Sequence, residues 1–584
     1  MNKKSVFLLS TLALSAFSLF SCGQSSGDKT HTIYLEYFSK SGFGNAWLNN
    51  MVSEWKSKTE FKGYDVIVVP TTYLGGDQVI QVESGTSFTD VFFGSNPEYK
   101  SGLYLNNGKG YFEDLTDLVE SNAYQETTPI KNKIPNFENG WKYTAGKQVY
   151  NKESKTIETS GIYMLPYTQT FTAPIFNYDD WVEKGILTPA TANEETKTAL
   201  QNQGIAFNEE SNSLIFESAP FESTYVKGDV IMSAGKDGKY GTYDDGQPVT
   251  FEEFKKLYSK LLAEYGNTSI VSDAGCYSED LVIDVFAQIN GIDGYDALAK
   301  FDSNGKEVTL SDGTKEVITY KNGNHAYRLK GVKTAMDYFY TYFCDTREGY
   351  TSVEQYVGEA QAKYCQGLSD ANHSIATIYE GNWFENQAKD RLANALRNHP
   401  NNHLGKLDFR YLMTPNFEGQ LGIDGEGNGT CLTGSEFGSI AVTKQDSEEK
   451  LNAIKDLLRF FLSNEQLSKA TATSGICLAY NYSLSDAQLK QMTPSQKYAY
   501  QIMHDEENVR ILHQTTDKIC SPMYFASSIG STAIMRAGKN NSFATPYGYM
   551  KTGTTSGFAS DFASSYSDAK WASLVSEMED YIAA

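Results

Sequence analysis

Within Tyr64 to Val69 (YDVIVV) only Asp65 is charged, and every other position carries a ring or a branched apolar side chain. A half-exposed strand alternates apolar and polar residues. One that is apolar almost throughout is expected in a parallel sheet covered by helices on both faces. The neighbouring chain supplies the other layers. His31 to Phe38 (HTIYLEYF) reads as a first strand and ends at Ser39-Lys40-Ser41-Gly42-Phe43-Gly44-Asn45. From Ala46 onward Trp47, Leu48, Met51, Val52 and Trp55 recur at helical spacing. A further helix is expected near Asp77 to Ser84, and a third strand over Thr89 to Phe93 running into Gly94-Ser95-Asn96-Pro97. This βαβαβ order builds an α/β layer whose ligand contacts lie in the loops at the carboxyl ends of the strands. Phe112 to Leu118 follows as a short helical element.

The chain opens Met-Asn-Lys-Lys, continues as an apolar run from Val6 to Phe20 and ends that run at Ser21-Cys22. A basic start, a short apolar core and a small residue before a cut site make residues 1–22 a secretory signal, since a spanning helix needs roughly 20 apolar residues. Leu19, Ser21 and Cys22 resemble a bacterial lipobox, with Phe20 bulkier than that pattern usually carries. In that reading Cys22 is acylated and becomes the new amino terminus, held at the outer face of the cell membrane by more than one acyl chain. The alternative is a plain cleaved secretion signal. Residues 23–30 (GQSSGDKT) are small and polar, as a flexible tether requires.

The 562 residues that follow Cys22 are enough for two or more cores. Their acidity narrows the partners. The chain carries 50 basic and 72 acidic residues, a net charge of −22, and removing Lys3 and Lys4 with the signal makes it −24. Such a surface repels nucleic acid and anionic lipid headgroups. Cys276, Cys344, Cys365, Cys431, Cys477 and Cys520 are widely spaced and include no CxxC pair, so neither a zinc ribbon nor a redox motif is supported, and disulfide pairing is left open.

Ile375 to Glu385 (IATIYEGNWFE) carries the chemistry of recognition. It reads as a strand, Ile-Ala-Thr-Ile-Tyr, that stops at a Glu-Gly-Asn turn and exposes Trp383. An indole stacks on the apolar face of a pyranose, and Glu380, Asn382 or Glu385 has the hydrogen-bonding capacity for its hydroxyls. Packing of Trp383 in a core is the competing reading of the same residues.

Ordered weak motifs over most of the mature chain resemble the extracellular solute-binding proteins of bacterial ABC importers, in the sugar-binding, maltose-binding-protein-like group. Thr89-Asp90-Val91-Phe92-Phe93 looks like that family's "P-D-hydrophobic-hydrophobic" strand. Tyr163 to Tyr167 (YMLPY), Pro174 to Asp179 (PIFNYD) and Trp181 to Leu187 (WVEKGIL) are similar to the passage in which the chain first crosses between lobes. Pro248 to Phe254 (PVTFEEF) matches a helix start, Gly381-Asn382-Trp383 the family's "G-x-W" turn, Gly434 to Val442 (GSEFGSIAV) the return crossing, and Leu457 to Leu462 with Glu465 a late helix. No one of these is specific, but their order is.

The resemblance implies an α/β, two-lobed periplasmic-binding-protein-like fold of type II with discontinuous lobes joined by a hinge. Lobe one would be 31–167 plus 436–480, and lobe two 173–430 plus 485–584, with crossings near Thr168 to Thr172, Cys431 to Ser435 and Tyr480 to Ser483. It also implies a monomeric, lipid-anchored receptor that holds a carbohydrate, an oligosaccharide by preference, between the lobes and delivers it to an ABC permease. Carried over residue by residue, the ligand contacts are Trp383 as the stacking platform; Ser39, Phe43 and Asn45 after the first strand; Ser95 and Asn96 after the third; Gln169 or Thr170 at the crossing, where the family's frequent acid is absent; Tyr277 after Ala274-Gly275-Cys276; and Ser435 and Glu436 at the return. Ordinary turn capping is the competing reading for the loop polar residues, and core packing for Tyr277.

Two regions depart from the family pattern. Residues 188–247 are an insertion containing Gly235 to Gly246 (GKDGKYGTYDDG), where Asp237, Asp244 and Asp245 interleave with glycines. Hard oxygen ligands on a tightly turning backbone suit calcium, although the spacing does not fit an EF-hand and a solvated turn is the plainer reading. The carboxyl region 485–584 is long and is expected to add helices. No cofactor is implied. The chain has no GxxxxGK[ST], HExxH or GxSxG, and His399 and His403 flank Pro400 as in a turn. A glycan-active enzyme, glycosidase or lyase, and an adhesion lipoprotein are the competing classes. No spacing singles out a catalytic carboxylate pair, and no repeats support an adhesin.

Overall fold

A computed structural model of the chain describes residues 31–38, 42–71, 75–94, 109–151, 156–191, 193–202, 204–208, 213–216, 226–227, 230–345, 351–353, 356–369, 374–398, 407–434, 437–514, 521, 523, 534–539 and 542–583. The signal, the tether and Cys22 lie outside these residues, as do Ser39, Ser95, Asn96, Ser435, Glu436 and Cys520.

Thr32–Phe38 (β1), Ala46–Lys58 (α1), Asp65–Thr71 (β2), Gly75–Glu83 (α2) and Val91–Gly94 (β3) follow in the expected order. Strand β1 pairs in parallel with β2 and β3. Helix α1 buries Trp47, Leu48, Met51, Val52 and Trp55 against the sheet, the stripe that its spacing requires. Two expectations are corrected. Strand β2 is an edge strand and not covered on both faces, because the sheet order places it outermost; Ile67 keeps 37% of its surface exposed. Over Phe112 to Leu118 only Thr116–Glu120 turns helical, since Phe112 bridges to Thr443 and Glu113 N–H donates to Val442 O.

Met164–Gln169 (β4) completes this sheet and Thr172–Asn177 (β5) begins the next, with only Thr170 and Phe171 between them. Thr250 then opens helix Phe251–Tyr265 (α3) with a capping box to Glu253. Ser269–Val271 (β6) leads to Ala274–Ala299 (α4), which is interrupted at Gly291 (φ 71°, ψ 176°). Thr351–Val353 (β7), Val357–Ser369 (α5), Thr377–Gly381 (β8), Phe409–Tyr411 (β9), Thr430–Thr433 (β10) and Phe437–Val442 (β11) follow. Glu448–Phe461 (α6), Asn464–Ser474 (α7), Pro494–His504 (α8) and Val509–Leu512 (β12) complete the elements needed here.

The two five-stranded sheets share one plan. The first has the order β2-β1-β3-β11-β4 and the second β7-β6-β8-β5-β9. In each, four strands are parallel and the fourth in order runs against its neighbours: β11 against β3 and β4, β5 against β8 and β9. Each antiparallel strand is the one that has just arrived from the other sheet's side of the chain. Two α/β lobes that exchange a strand in this way are the type II, two-lobed binding-protein fold. In both lobes the carboxyl ends of the parallel strands point toward the crossings, so the loops after β1, β6 and β8 face one gap.

The crossings are braced from the carboxyl region. Strand β12 pairs in parallel with β10, Leu478 bridges to Thr168, and Gln169 N–H donates to Cys477 O at 3.0 Å. At Gly434 a Cβ would fall 2.8 Å from Thr170 O and 2.9 Å from His513 Nδ1, so only glycine lets the crossings approach this closely. Cores lie on both sides: one holds Trp47, Phe93 and Tyr167, another Trp181, Phe286 and Tyr379, and a third Phe171, Ile378 and Tyr411. In the second lobe Arg410 is fully buried, its guanidinium 3.2 Å above the centre of the Tyr178 ring and paired with Asp408 at 3.1 and 2.9 Å.

Candidate interlobe binding site

The loop after β8 forms one wall. The strand begins at Thr377 and runs through Glu380 and Gly381, two residues beyond the expected stop, because Glu380 pairs with Ala173 and Gly381 with Thr172 of β5. That register turns Glu380 inward. Its carboxylate, fully buried, accepts the Tyr277 hydroxyl at 3.1 Å and Gly381 N–H at 3.1 Å, and burial raises its pKa. Glu380 thus holds Tyr277, a half-buried ring standing edge-on to Tyr379 with centroids 6.1 Å apart. Asn382 N–H donates to Phe171 O at 3.0 Å, which fastens the turn to the first crossing. Trp383 is not exposed as its sequence context implies: 6% of its surface remains, and the indole lies over Gly381, where a Cβ would be 2.3–2.4 Å from three ring carbons. Any other residue at 381 would lift the ring.

The loop after β1 forms the opposite wall. Gly42 has φ 79°, and a Cβ there would lie 2.7 Å from Asn386 O and 3.2 Å from Gln387 Cα. The backbones of the two lobes therefore meet at Gly42. The loop is held by the Tyr37 hydroxyl donating to Gly44 O at 2.9 Å, and Phe43 packs partly into the first core. Asn45 is the N-cap of α1 but makes no side-chain capping bond.

At the hinge, Gln169 Nε2 lies 3.3 Å from His513 Nε2. Burial lowers the His513 pKa to about 3, so its ring is neutral at ordinary pH. Thr170 is buried. Beside it are two acids that the sequence reading missed. Asp280 accepts Thr172 Oγ1 at 3.1 Å and Gln514 Nε2 at 2.8 Å, while Asp284 accepts Thr433 Oγ1 at 2.7 Å. Together they hold both crossings to α4. Burial raises both pKa values, that of Asp280 to about 8, so at neutral pH Asp280 is chiefly a neutral carboxylic acid that both donates and accepts. The available signal was a pair of aspartates one helical turn apart, Asp280 just before and Asp284 within the otherwise apolar run Leu281 to Ala287.

The glycine-rich loop of the insertion spends its carboxylates on its own backbone. Asp244 Oδ2 accepts N–H from Lys236 at 2.6 Å and Asp237 at 3.0 Å, Asp245 Oδ2 accepts Gly241 N–H at 2.9 Å, and Asp237 Oδ1 accepts Lys239 N–H at 2.7 Å. Lys236 Nζ donates to Thr414 O at 2.9 Å, Gly429 O at 3.1 Å and Thr430 Oγ1 at 2.6 Å, tying this loop to the start of β10. Among the described residues no group of three or more His, Cys, Asp or Glu side chains is arranged to hold a metal. Cys276, Cys344, Cys365, Cys431 and Cys477 are free thiols, and no described helix is long and apolar enough to cross a membrane.

No protein-family model matches the chain, and no curated protein matches it. Among solved structures it is similar to the apo form of RafE from Streptococcus pneumoniae, at 12% identity over 94% of this chain and 99% of that one, with a TM-score of 0.48. It is similar also to RafE in complex with raffinose, at 13% identity over 93% and 99% of the two chains (TM-score 0.46). A third is a probable secreted solute-binding lipoprotein from Streptomyces coelicolor, at 10% identity over 92% and 98% (TM-score 0.46).

Proposed function

We propose that this chain is an extracytoplasmic receptor that captures a carbohydrate between its two lobes and passes it to an ABC permease, without performing chemistry on it. The observation that carries the reading is the strand plan: two sheets of one topology, each lending a strand to the other, aim their loops into a single gap. Two loops meet in that gap, one carrying Gly42, Phe43 and Asn45, the other Asn382 and Trp383. In this reading residues 31–167 with 436–480 move against 173–430 with 485–584, and the hinge segments on either side of Thr172 and Thr433 absorb the rotation. A sugar placed on the indole gains an apolar stacking face, while hydroxyl and amide groups satisfy its oxygens. Contacts from both walls exist together only when the lobes are closed, so the ligand stabilises the closed form by its differential contact with it. Ser39, Ser95, Asn96, Ser435 and Glu436 belong to the same loops in this reading. Cys22 would hold the receptor at the outer face of the membrane with 23–30 as the tether.

The test is a thermal-shift screen of the chain from Gly23 onward against mono- and oligosaccharides. A binder of the native state raises the melting temperature by mass action. One sugar class that shifts the transition and is recovered intact supports the receptor. A glycan that is consumed, or an absence of any shift across the panel, overturns it.

A further inference from the structure

A second cavity of about 260 Å³ opens at the hinge, and of the residues assigned above to sugar contact only Gln169 lines it. One wall is the segment of Pro135 to Trp141, and Trp141 belongs to the core of the first lobe. The other wall comes from Met503 of α8 and from Val509 and Ile511 of β12, which belong to the core that contains β8 and β9 of the second lobe. The cavity is therefore walled by both lobes and floored by the crossing.

Its polar lining has an unusual charge pattern. Glu506 and Arg510 both line the cavity and both are exposed, and among the described residues neither side chain makes a hydrogen bond or an ion pair, with the other or with anything else. His513, neutral at ordinary pH, adds no third charge. A ligand with one charge would satisfy one of these groups and leave the other facing an unmatched or like charge. A ligand carrying both signs on a short frame satisfies both. The rest of the lining fits what such a ligand would carry between or beside its charges: an apolar group against Trp141, Met503 and Ile511, with the Asn136 and Gln169 amides as hydrogen-bonding partners.

We propose that this cavity is a second ligand site, for a small apolar zwitterion of amino-acid size, with Arg510 receiving its carboxylate and Glu506 its ammonium group. Because its walls belong to different lobes, occupancy depends on the hinge angle. The zwitterion and the ligand of the main gap then change each other's affinity by the same factor.

The test uses the chain from Gly23 onward and isothermal titration with leucine, 4-methylpentanoate (its carboxylate alone) and isopentylamine (its ammonium alone). Leucine should bind, and each singly charged analogue should bind about tenfold or more weakly, as expected for loss of one charged hydrogen bond. Arg510→Gln should remove the advantage of leucine over isopentylamine, and Glu506→Gln its advantage over 4-methylpentanoate. Both residues are exposed, and circular dichroism verifies that the variants stay folded. Absence of leucine binding, equal affinity for the three compounds, or leucine binding unchanged in both variants would overturn the assignment. None of these outcomes depends on whether the main gap binds sugar.

Discussion

The contact between the lobes at Gly42 can be tested with a pair of alanine substitutions that differ in one respect. Gly42 (φ 79°) and Gly44 (φ 68°) both occupy the left-handed region, so alanine at either costs about 1–2 kcal/mol of backbone strain. That strain is present with the lobes open or closed and therefore lowers stability without touching affinity. At Gly44 a Cβ has nothing within 4 Å, whereas at Gly42 it would lie 2.7 Å from Asn386 O, 3.0 Å from the Asn386 carbonyl carbon and 3.2 Å from Gln387 Cα. The nearest atoms are backbone and cannot swing aside. Relieving the overlap requires a few tenths of an ångström of lobe separation, at about 1–3 kcal/mol for overpacking of this kind. Because the clash exists only when the lobes meet, it should weaken binding of the sugar found by screening by about 5- to 150-fold in Gly42→Ala. Gly44→Ala should bind like the unaltered protein. Urea denaturation gives the shared stability loss and calorimetric titration gives the difference in affinity. Equal affinities in the two variants would refute the claim that closure brings Gly42 against Asn386.

Three further expectations follow from the same geometry. Trp383→Ala should weaken sugar binding by about 1–3 kcal/mol through loss of the stacking face, measured by titration; unchanged affinity in a folded variant would remove Trp383 from the site. Asp280 has a folded pKa of about 8 against an ordinary value of 3.8, so between pH 4 and 8 its folded form holds a proton that the unfolded chain has lost. Its contribution to stability is complete below pH 4 and is lost as pH rises through 8, at up to about 1.4 kcal/mol per pH unit. Urea midpoints should show this downward slope flattened in Asp280→Asn, and an identical slope in the variant would contradict it. Lys236→Met would strand the carbonyls of Thr414 and Gly429 in a partly buried site, and a loss of about 1–3 kcal/mol in urea stability is expected; a loss under about 0.5 kcal/mol would mean that the loop is not anchored there.

The elements that the sequence made legible are those specified by local pattern. The stripe Trp47, Leu48, Met51, Val52 and Trp55 needs only helical spacing, and the helix start at Pro248 to Phe254 is short enough to be read locally; the structure builds it on a Thr250 to Glu253 capping box. What the sequence left hidden depends on partners distant in the chain. That β2 sits at an edge follows from the sheet order, which no property of YDVIVV encodes. The bracing of β10 by β12 joins Cys431 to Arg510, and the burial of Arg410 depends on Tyr178 and Tyr498. Nothing local marks Asp280 and Asp284 as site residues; their role depends on Thr172 and Thr433, which the two crossings lay beside α4.

Trp383 shows how one nonlocal fact reorders a site. Read locally, Glu380-Gly381-Asn382 is a turn, and the indole after it should stand free. Pairing with Thr172 and Ala173 extends the strand by two residues, and because side chains alternate across a strand, that extension decides which groups face inward. Glu380 becomes the buried acid that holds Tyr277, and the bare face of Gly381 becomes the bed on which the indole lies. In the proposed reading a ring supported in this way loses little freedom when a ligand covers it, so the arrangement that makes Trp383 look like core would also preorganise it as a platform. Gly381→Ala separates these roles: a Cβ at 2.3 Å from the ring must displace it. Sugar affinity should then fall even though Trp383 is still present, and an affinity equal to that of the unaltered protein would mean that the position of the indole does not matter.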